Sequence, residues 1–345
     1  MTAPAPRPGM TRRTLLTALG AGAAGLLAAC ASGTGARSQT ASASAAASGL
    51  MIGMTYTPNV QFAPFYLALA DGEYADNVTL RHHGEQEGQF DALLAGTEHI
   101  VVAGGDEAIV AASNGNELVI IGGYYQRYPG CIIVPEESDI TQPADLRGKR
   151  IGTPGKTGET WYSVLVALSS AGLTEDDVEV QEIGYTQQAA LAGGKVDAIT
   201  GFSNNDAVQI ARNGMPVRVI EIGEKVPLLG ASLVTTAQVL ADRRGELQAA
   251  VAASAVGMTA FVNDPDAAVS ATKAYVPDLV DNTQAENARE VAVATGELVR
   301  PSEDAVVGAL VPEQVGETID FLSGHGLLGE STVTSDAVCE PLLTV

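Results

Sequence analysis

The stretch that decides the fold is "HIVVAGGDEAIVAASNGNELVIIGGYY", His99 to Tyr125. A short apolar run leads through a glycine pair into a helix-like segment, which ends at Asn-Gly before a second apolar run begins. Strand, helix, strand in that order places parallel strands beneath a covering helix. Upstream the same alternation appears twice: "LMIGMTY" with a helix over Phe62 to Ala70, then "NVTLRHH" with "GQFDALLAG". Downstream it resumes with "KRIGTP", a helix from about Glu159 to Ala171, "DVEVQEI", a helix from Gln187, "VDAITGF", a helix from about Asn205, and "VRVIEI". After one more strand-like run, "LGASLVTT", only helical patterns follow, over Glu246 to Val262, Asp266 to Tyr275, Gln284 to Val299 and Pro312 to Leu322. A strand run that returns before a helical tail implies that the chain crosses back to its first lobe. The expected architecture is α/β, with two doubly wound lobes and a helical C-terminal tail. Lobe 1 takes residues 50–135, lobe 2 residues 136–228, and 229–345 returns to lobe 1, with crossovers near Ile132–Ser138 and Pro227–Thr235. Ligands of open α/β sheets bind in the crevice at the carboxyl ends of the strands.

The chain opens with "MTRRTLLTALGAGAAGLLAAC" from Met10, in which a basic pair, Arg12 and Arg13, precedes an apolar run that is short and rich in Gly and Ala. That pattern is an export signal spanning residues 1–29, of either the twin-arginine or the general secretory kind. Leu27-Ala28-Ala29-Cys30 resembles a bacterial lipobox, which implies cleavage before Cys30 and a diacylglycerol group on its sulfur. Two acyl chains hold a protein stably at a bilayer. The small polar residues from Ala31 to Gly49 read as a flexible tether, and the mature protein is expected at the outer face of the cytoplasmic membrane. Without residues 1–29 the chain keeps 16 basic and 41 acidic side chains, a formal charge of −25. Such a surface repels nucleic acid and gives no long-range help in capturing anions. Cys131 and Cys339 are the two remaining cysteines, and an oxidising compartment permits either one disulfide or two buried thiols.

Candidate ligand contacts lie where loops enter helices. In "PNVQFAPFYLAL", Pro58 to Leu69, the residues Phe62, Phe65, Tyr66 and Leu69 have helical core spacing. Asn59 and Gln61 fall outside that stripe with amides free to orient a heteroaromatic ring, and Phe62 serves both packing and ligand. Gly105 beside Asp106 permits close backbone approach, and Asp106 can cap its helix or contact ligand. "TPGKTGETWY" contains Gly-Lys-Thr, but the phosphate-binding loop fails because Arg150 stands where its first glycine belongs. What remains is a loop around Thr157 that opens a helix with free amides, with Tyr162 off the core stripe of that helix. Gln126, Tyr185 and Gln187 follow other strands toward the cleft, and "GFSNNDAV" supplies Phe202, Asn205 and Asp206 at another helix entrance. His82 and His83 point to opposite faces of a strand, so no shared metal site is expected. No cofactor is expected either.

Taken together, "PNVQFAPFYLAL", "GGDEAIVAASNG", "YYQRYPGCIIVP", "DLRGKRIGTPGKTGETWYSVLVAL", "AGLTEDDVEVQEIGYTQ" and "GGKVDAITGFSNNDAVQIARNG" resemble the periplasmic substrate-binding proteins of the sulfonate, nitrate and thiamine-pyrimidine-precursor family, the NMT1-like proteins. The likeness covers about Leu50 to Thr236 and is nearest to pyrimidine-precursor or riboflavin binders. It implies a type II periplasmic binding protein that delivers a nutrient to an ABC permease and its ATPase. It also implies that Asn59 is a ligand-contacting loop amide and that His83 stands where precursor binders show an aromatic wall. Phe202 stands at a tyrosine position of the family motif and Asp206 at a glutamate position, and both departures weaken an aminopyrimidine assignment.

The resulting expectation is a monomeric, lipid-anchored binding protein for a small heteroaromatic nutrient. A thiamine pyrimidine precursor comes first, riboflavin second and an alkyl sulfonate third. Two other classes make different demands: a pyrimidine-synthase-like enzyme would alter its ligand, and an adhesive surface protein would bind none saturably.

Overall fold

The apolar runs fold as strands of two separate five-stranded sheets. The computed structural model describes residues 49–84 and 87–343, so the expected export signal, the lipidated Cys30 and the tether up to residue 48 lie outside the described residues. In the first part of the chain, β1 (Leu50–Met54), α1 (Ala63–Ala70), β2 (Val78–His82), α2 (Asp91–Leu94), β3 (Ile100–Gly104), α3 (Gly105–Ser113) and β4 (Leu118–Gly123) alternate. There follow β5 (Gly130–Pro135), β6 (Arg150–Thr153), α4 (Gly158–Ser170), β7 (Glu179–Glu182), α5 (Gln187–Ala192), β8 (Ala198–Phe202), α6 (Asp206–Arg212) and β9 (Val217–Ile220). The chain then enters β10 (Ala231–Thr236) and finishes with α7 (Ala237–Asn263), α8 (Pro265–Thr272), α9 (Asn282–Val299), α10 (Pro312–Gly324) and α11 (Ser335–Val338).

The sheets run β2-β1-β3-β10-β4 and β7-β6-β8-β5-β9. Each is parallel except for one strand, β10 in the first and β5 in the second, which is antiparallel to both neighbours. In each sheet that strand is the one just arrived from the other half, so the two halves exchange strands. β5 also corrects the expected first crossover at Ile132–Ser138: Gly130 to Ile133 pair with β8 and Ile132 to Pro135 pair with β9, so the crossing is the segment 124–129. The second crossing is likewise earlier than expected and ends before β10 at Ala231. An apolar run announces a strand, but not which sheet will pair with it.

Strands covered on both faces carry side chains alternately to two cores. Ile100 and Val102 of β3 join Ile52, Met54, Phe65, Met258 and Phe261 on one side, whereas Val101 and Ala103 join Ile109, Ile120 and residues of the second half such as Ile132 and Trp161. The second of these cores therefore runs continuously from one sheet to the other. α7 starts at Ala237, nine residues before the helical pattern read from Glu246, because Thr236 caps it through Val239 N–H and a single non-helical residue, Arg243, absorbs a kink. By length and composition it is the one helix among the described residues that passes for a membrane span. It is a core helix here, packed on α1 so closely that a Cβ on Gly257 would lie 2.1 Å from the Pro64 carbonyl oxygen.

Of the two arrangements open to the cysteines, the structure has free thiols: Cys131 and Cys339 are both buried and lie in different cores. Cys131 Sγ faces the Gly201 carbonyl at 3.4 Å, and Cys339 sits beside Ile120 at the end of the chain. Burial raises both thiol pKa values, that of Cys339 to about 11, so neither is a ready thiolate.

Candidate functional site

The carboxyl ends of β1, β3, β6 and β8 lead into loops that enclose one cleft of about 380 Å³. Its walls are aromatic. Tyr56, Phe62, Tyr124 and Tyr125 come from the first half, and Tyr185 and Phe202 from the second. Tyr124 and Tyr125 lie ring to ring at 4.5 Å, and Phe65 meets Tyr124 edge-on from behind at 5.5 Å. The Tyr124 hydroxyl donates to the Gln61 carbonyl, which ties the loop after β1 to the segment after β4. Phe62 stands edge-on to His82 at 5.4 Å. His82 in turn fixes the rim: its Nδ1 bonds the Tyr56 carbonyl at 3.0 Å, so Nδ1 carries the proton and Nε2, at 2.8 Å, accepts from Tyr66. Burial lowers the His82 pKa and favours this neutral form.

Carboxylates supply the polar lining. Glu107 in the first turn of α3 and Glu159 in the first turn of α4 reach the cleft from opposite halves, and Asp206 at the start of α6 joins them. No Lys, Arg or His is among the lining residues described. Asp106 lies behind the floor, fully buried, where its carboxylate accepts from the Tyr128 hydroxyl at 2.9 Å and from Glu107 N–H at 2.7 Å. Burial raises the pKa of Asp106, Glu107 and Glu159, and the repulsion of neighbouring carboxylates adds to it at Asp106 and Glu159. Gln89 partly offsets this at Glu107 by donating to it at 2.6 Å. Asp206 is also raised by burial, although it accepts from Phe202 N–H at 2.7 Å.

Of the residues expected from sequence, Asn59, Gln61, Phe62, Tyr185, Gln187, Phe202, Asn205 and Asp206 come together in the cleft. Asn59 is largely engaged by its own loop, accepting from Gln61 N–H at 2.9 Å and donating to the Thr57 carbonyl at 3.0 Å. The others stand elsewhere. His83 is buried in an ion-pair network, with Nε2 at 2.9 Å from Glu98, whose carboxylate also takes Arg81 at 2.6 Å. Gly105 is required by packing, since a Cβ there would lie 2.4 Å from Leu229. Gln126 turns toward the C-terminal region and donates to the Ala309 carbonyl at 2.9 Å. Thr157 and Tyr162 are outside the lining residues, Thr157 exposed ahead of α4 and Tyr162 buried within it. Glu107, Glu159, Gln89, Tyr56, Tyr124 and Tyr125 were not anticipated. The one local signal at the glutamates is an acidic residue in the first turn of a helix that follows a cleft-facing strand, a pattern the helix dipole alone also produces.

Comparison with known proteins places these features in a family. Residues 59–268, more than half of the chain, match the family described as NMT1/THI5 like. The chain is 31% identical over 232 residues to the riboflavin-binding protein RibY of Chloroflexus aurantiacus, an alignment covering 66% of each chain and so just under two thirds of that relative. It is 21% identical over 313 residues to the formylaminopyrimidine-binding protein of Halalkalibacterium halodurans, covering 87% of this chain and 92% of that one. Among solved structures, the aliphatic sulphonate-binding SsuA of Escherichia coli superposes with a TM-score of 0.66 at 18% identity, covering 84% of this chain and 97% of that one. The desulfurization enzyme DSZB does so with 0.56 at 18% identity, covering 84% and 96%. These structures are too distant in sequence to speak for more than the fold, which is that of type II periplasmic binding proteins. With the motif resemblance, the family match and the fold in agreement, the chain belongs to the NMT1/THI5-like family.

Proposed function

We propose that the protein is the extracytoplasmic substrate-binding component of an ABC importer and captures an uncharged planar heteroaromatic nutrient rich in hydrogen-bond donors. The observation that carries this reading is the composition of the cleft: aromatic walls, three carboxylates and, among its described lining residues, no cationic side chain. Rings offer stacking surfaces to a planar ligand. Carboxylates accept hydrogen bonds and repel anions, so a sulfonate would enter unpaired and against like charge. The alkyl sulfonate therefore leaves the list. Riboflavin moves ahead of the thiamine pyrimidine precursor, on the strength of the 31% identity to a riboflavin-binding protein against 21% to a formylaminopyrimidine-binding protein. An aminopyrimidine stays as the second reading, because Asp206 lines the cleft at the position where the family motif has glutamate. Membrane attachment through Cys30, delivery to a permease and the absence of catalysis belong to this proposal. A thermal-shift panel with riboflavin, an aminopyrimidine and an alkanesulfonate tests it. Stabilisation by one of the first two alone agrees with the proposal, and stabilisation by the sulfonate alone refutes it.

A further inference from the structure

Glu107 and Glu159 face each other from opposite halves. Their carboxylate oxygens come within 3.0 and 3.1 Å of the point where a Cβ on Gly104 would stand, and Asp106 comes within 2.9 Å of it. Two of the three carboxylates have neutral donors, Asp106 from the Tyr128 hydroxyl and Glu107 from the Gln89 amide and, across the seam, from the Glu159 backbone N–H. Glu159 Oε1 is excluded from solvent and has no hydrogen-bond partner among the described residues. Among the described residues its surroundings supply no positive charge. Asp106 and Glu107 face it from α3, Tyr162 from its own helix, and Tyr125 and Tyr128 from the crossover segment. Lys156, in the loop ahead of α4, is committed to Glu175 at 2.6 Å and to the Trp161 ring. A buried carboxylate oxygen without a donor is costly unless something else supplies one.

We propose that Glu107 and Glu159 form a two-sided subsite for the donor-bearing edge of the ligand, its N–H or hydroxyl groups, and that the same pair holds the halves apart when neither ligand nor proton lies between them. The inference rests on the binding-protein reading above and deepens it. Closure brings the two like charges together in a dry space, where their repulsion is least screened. A ligand that donates to both carboxylates replaces that repulsion with two charge-assisted hydrogen bonds, so closure becomes conditional on a ligand of the right chemistry. A proton shared by the pair acts in the same direction. Because closure raises the carboxyl pKa values, the closed state binds more protons than the open one, and falling pH favours it.

The test is small-angle scattering of the full, ligand-free chain at about pH 5 and about pH 8, alongside the Glu159→Gln variant. The wild type should expand as pH rises. Glu159→Gln, whose amide can donate to Glu107, should stay compact at both pH values, and its dissociation constant for riboflavin or 4-aminopyrimidine should rise roughly tenfold or more. Equal dimensions of the wild type at both pH values, or a variant that expands as the wild type does, overturns the inference even where ligand binds. Failure of both ligands to bind, with the pH effect present, overturns the proposed function instead and leaves the interlobe repulsion supported.

Discussion

Two glutamates, one wholly buried and one half-buried with a solvent-excluded carboxylate oxygen, receive opposite treatment in this molecule. Glu98 is wholly inaccessible and shared by His83 and Arg81, at 2.9 and 2.6 Å. Glu159 is met by two further carboxylates and has one oxygen with no hydrogen-bond partner among the described residues. A buried charge that the protein neutralises itself is part of the scaffold. One left without a donor, at the seam between two halves, is the feature on which the proposed ligand subsite rests.

The largest expected effect breaks the first of these sites. Glu98→Ala leaves the buried His83 without its partner and Arg81 with Glu87 alone, and should cost about 3 kcal/mol in denaturant unfolding, the upper end for leaving a buried polar group unpaired. Ligand affinity of the folded fraction should be unchanged, since the lining of the cleft includes neither Glu98 nor His83. Loss of binding in a folded His83→Leu variant would return His83 to the site. Next comes Glu159→Gln, which should behave in the opposite manner: ligand-free unfolding stability at neutral pH holds or improves, while binding weakens by about 1.5–3 kcal/mol, the scale of a hydrogen bond to a charged group.

A pH series sharpens the contrast. Asp106, Glu107, Glu159 and Asp206 have raised folded-state pKa values through burial. Their share of folding stability is therefore greatest at low pH and declines as pH rises from the ordinary carboxyl range through the raised values. Asp197 and Glu246 have pKa values lowered by their arginine partners, so their share is present above the ordinary carboxyl range and is lost as pH falls through the lowered values. Ligand-free melting should thus improve from neutral to mildly acidic pH before declining, and Glu159→Gln should flatten the early rise. The smallest effect is expected at Asn59, where Asn59→Ala removes the acceptor for Gln61 N–H. It should cost about 1 kcal/mol of stability as a lost cap, with a weaker effect on affinity than Glu159→Gln.

Most of the architecture is legible in the sequence because strand and helix periodicities differ and the chain alternates them cleanly. The placement of β5 is not, since "GCIIVP" has the same apolar content whichever sheet it joins. Half of the site is legible for a similar reason: Asn59, Gln61, Phe202, Asn205 and Asp206 occupy loop-to-helix junctions, which topology alone puts at the cleft. Chemistry misleads at His83, where an imidazole next to a cleft-facing strand proves to be the partner of a glutamate 15 residues away. Glu107 and Glu159 stay hidden because an acidic residue in a first helical turn has an ordinary reason to be there, the helix dipole. Only the contact between α3 and α4 brings the pair together, and neither local pattern contains that contact.

Titrating riboflavin, followed by its own fluorescence, into wild-type protein and Glu159→Gln, with an alkanesulfonate as competitor, decides whether the cleft takes a neutral planar donor or an anion. Saturable one-to-one binding to the wild type, weaker binding to the variant and no displacement by the sulfonate are expected. Tight sulfonate binding that is indifferent to Glu159, with no uptake of riboflavin or an aminopyrimidine, would contradict the proposed function.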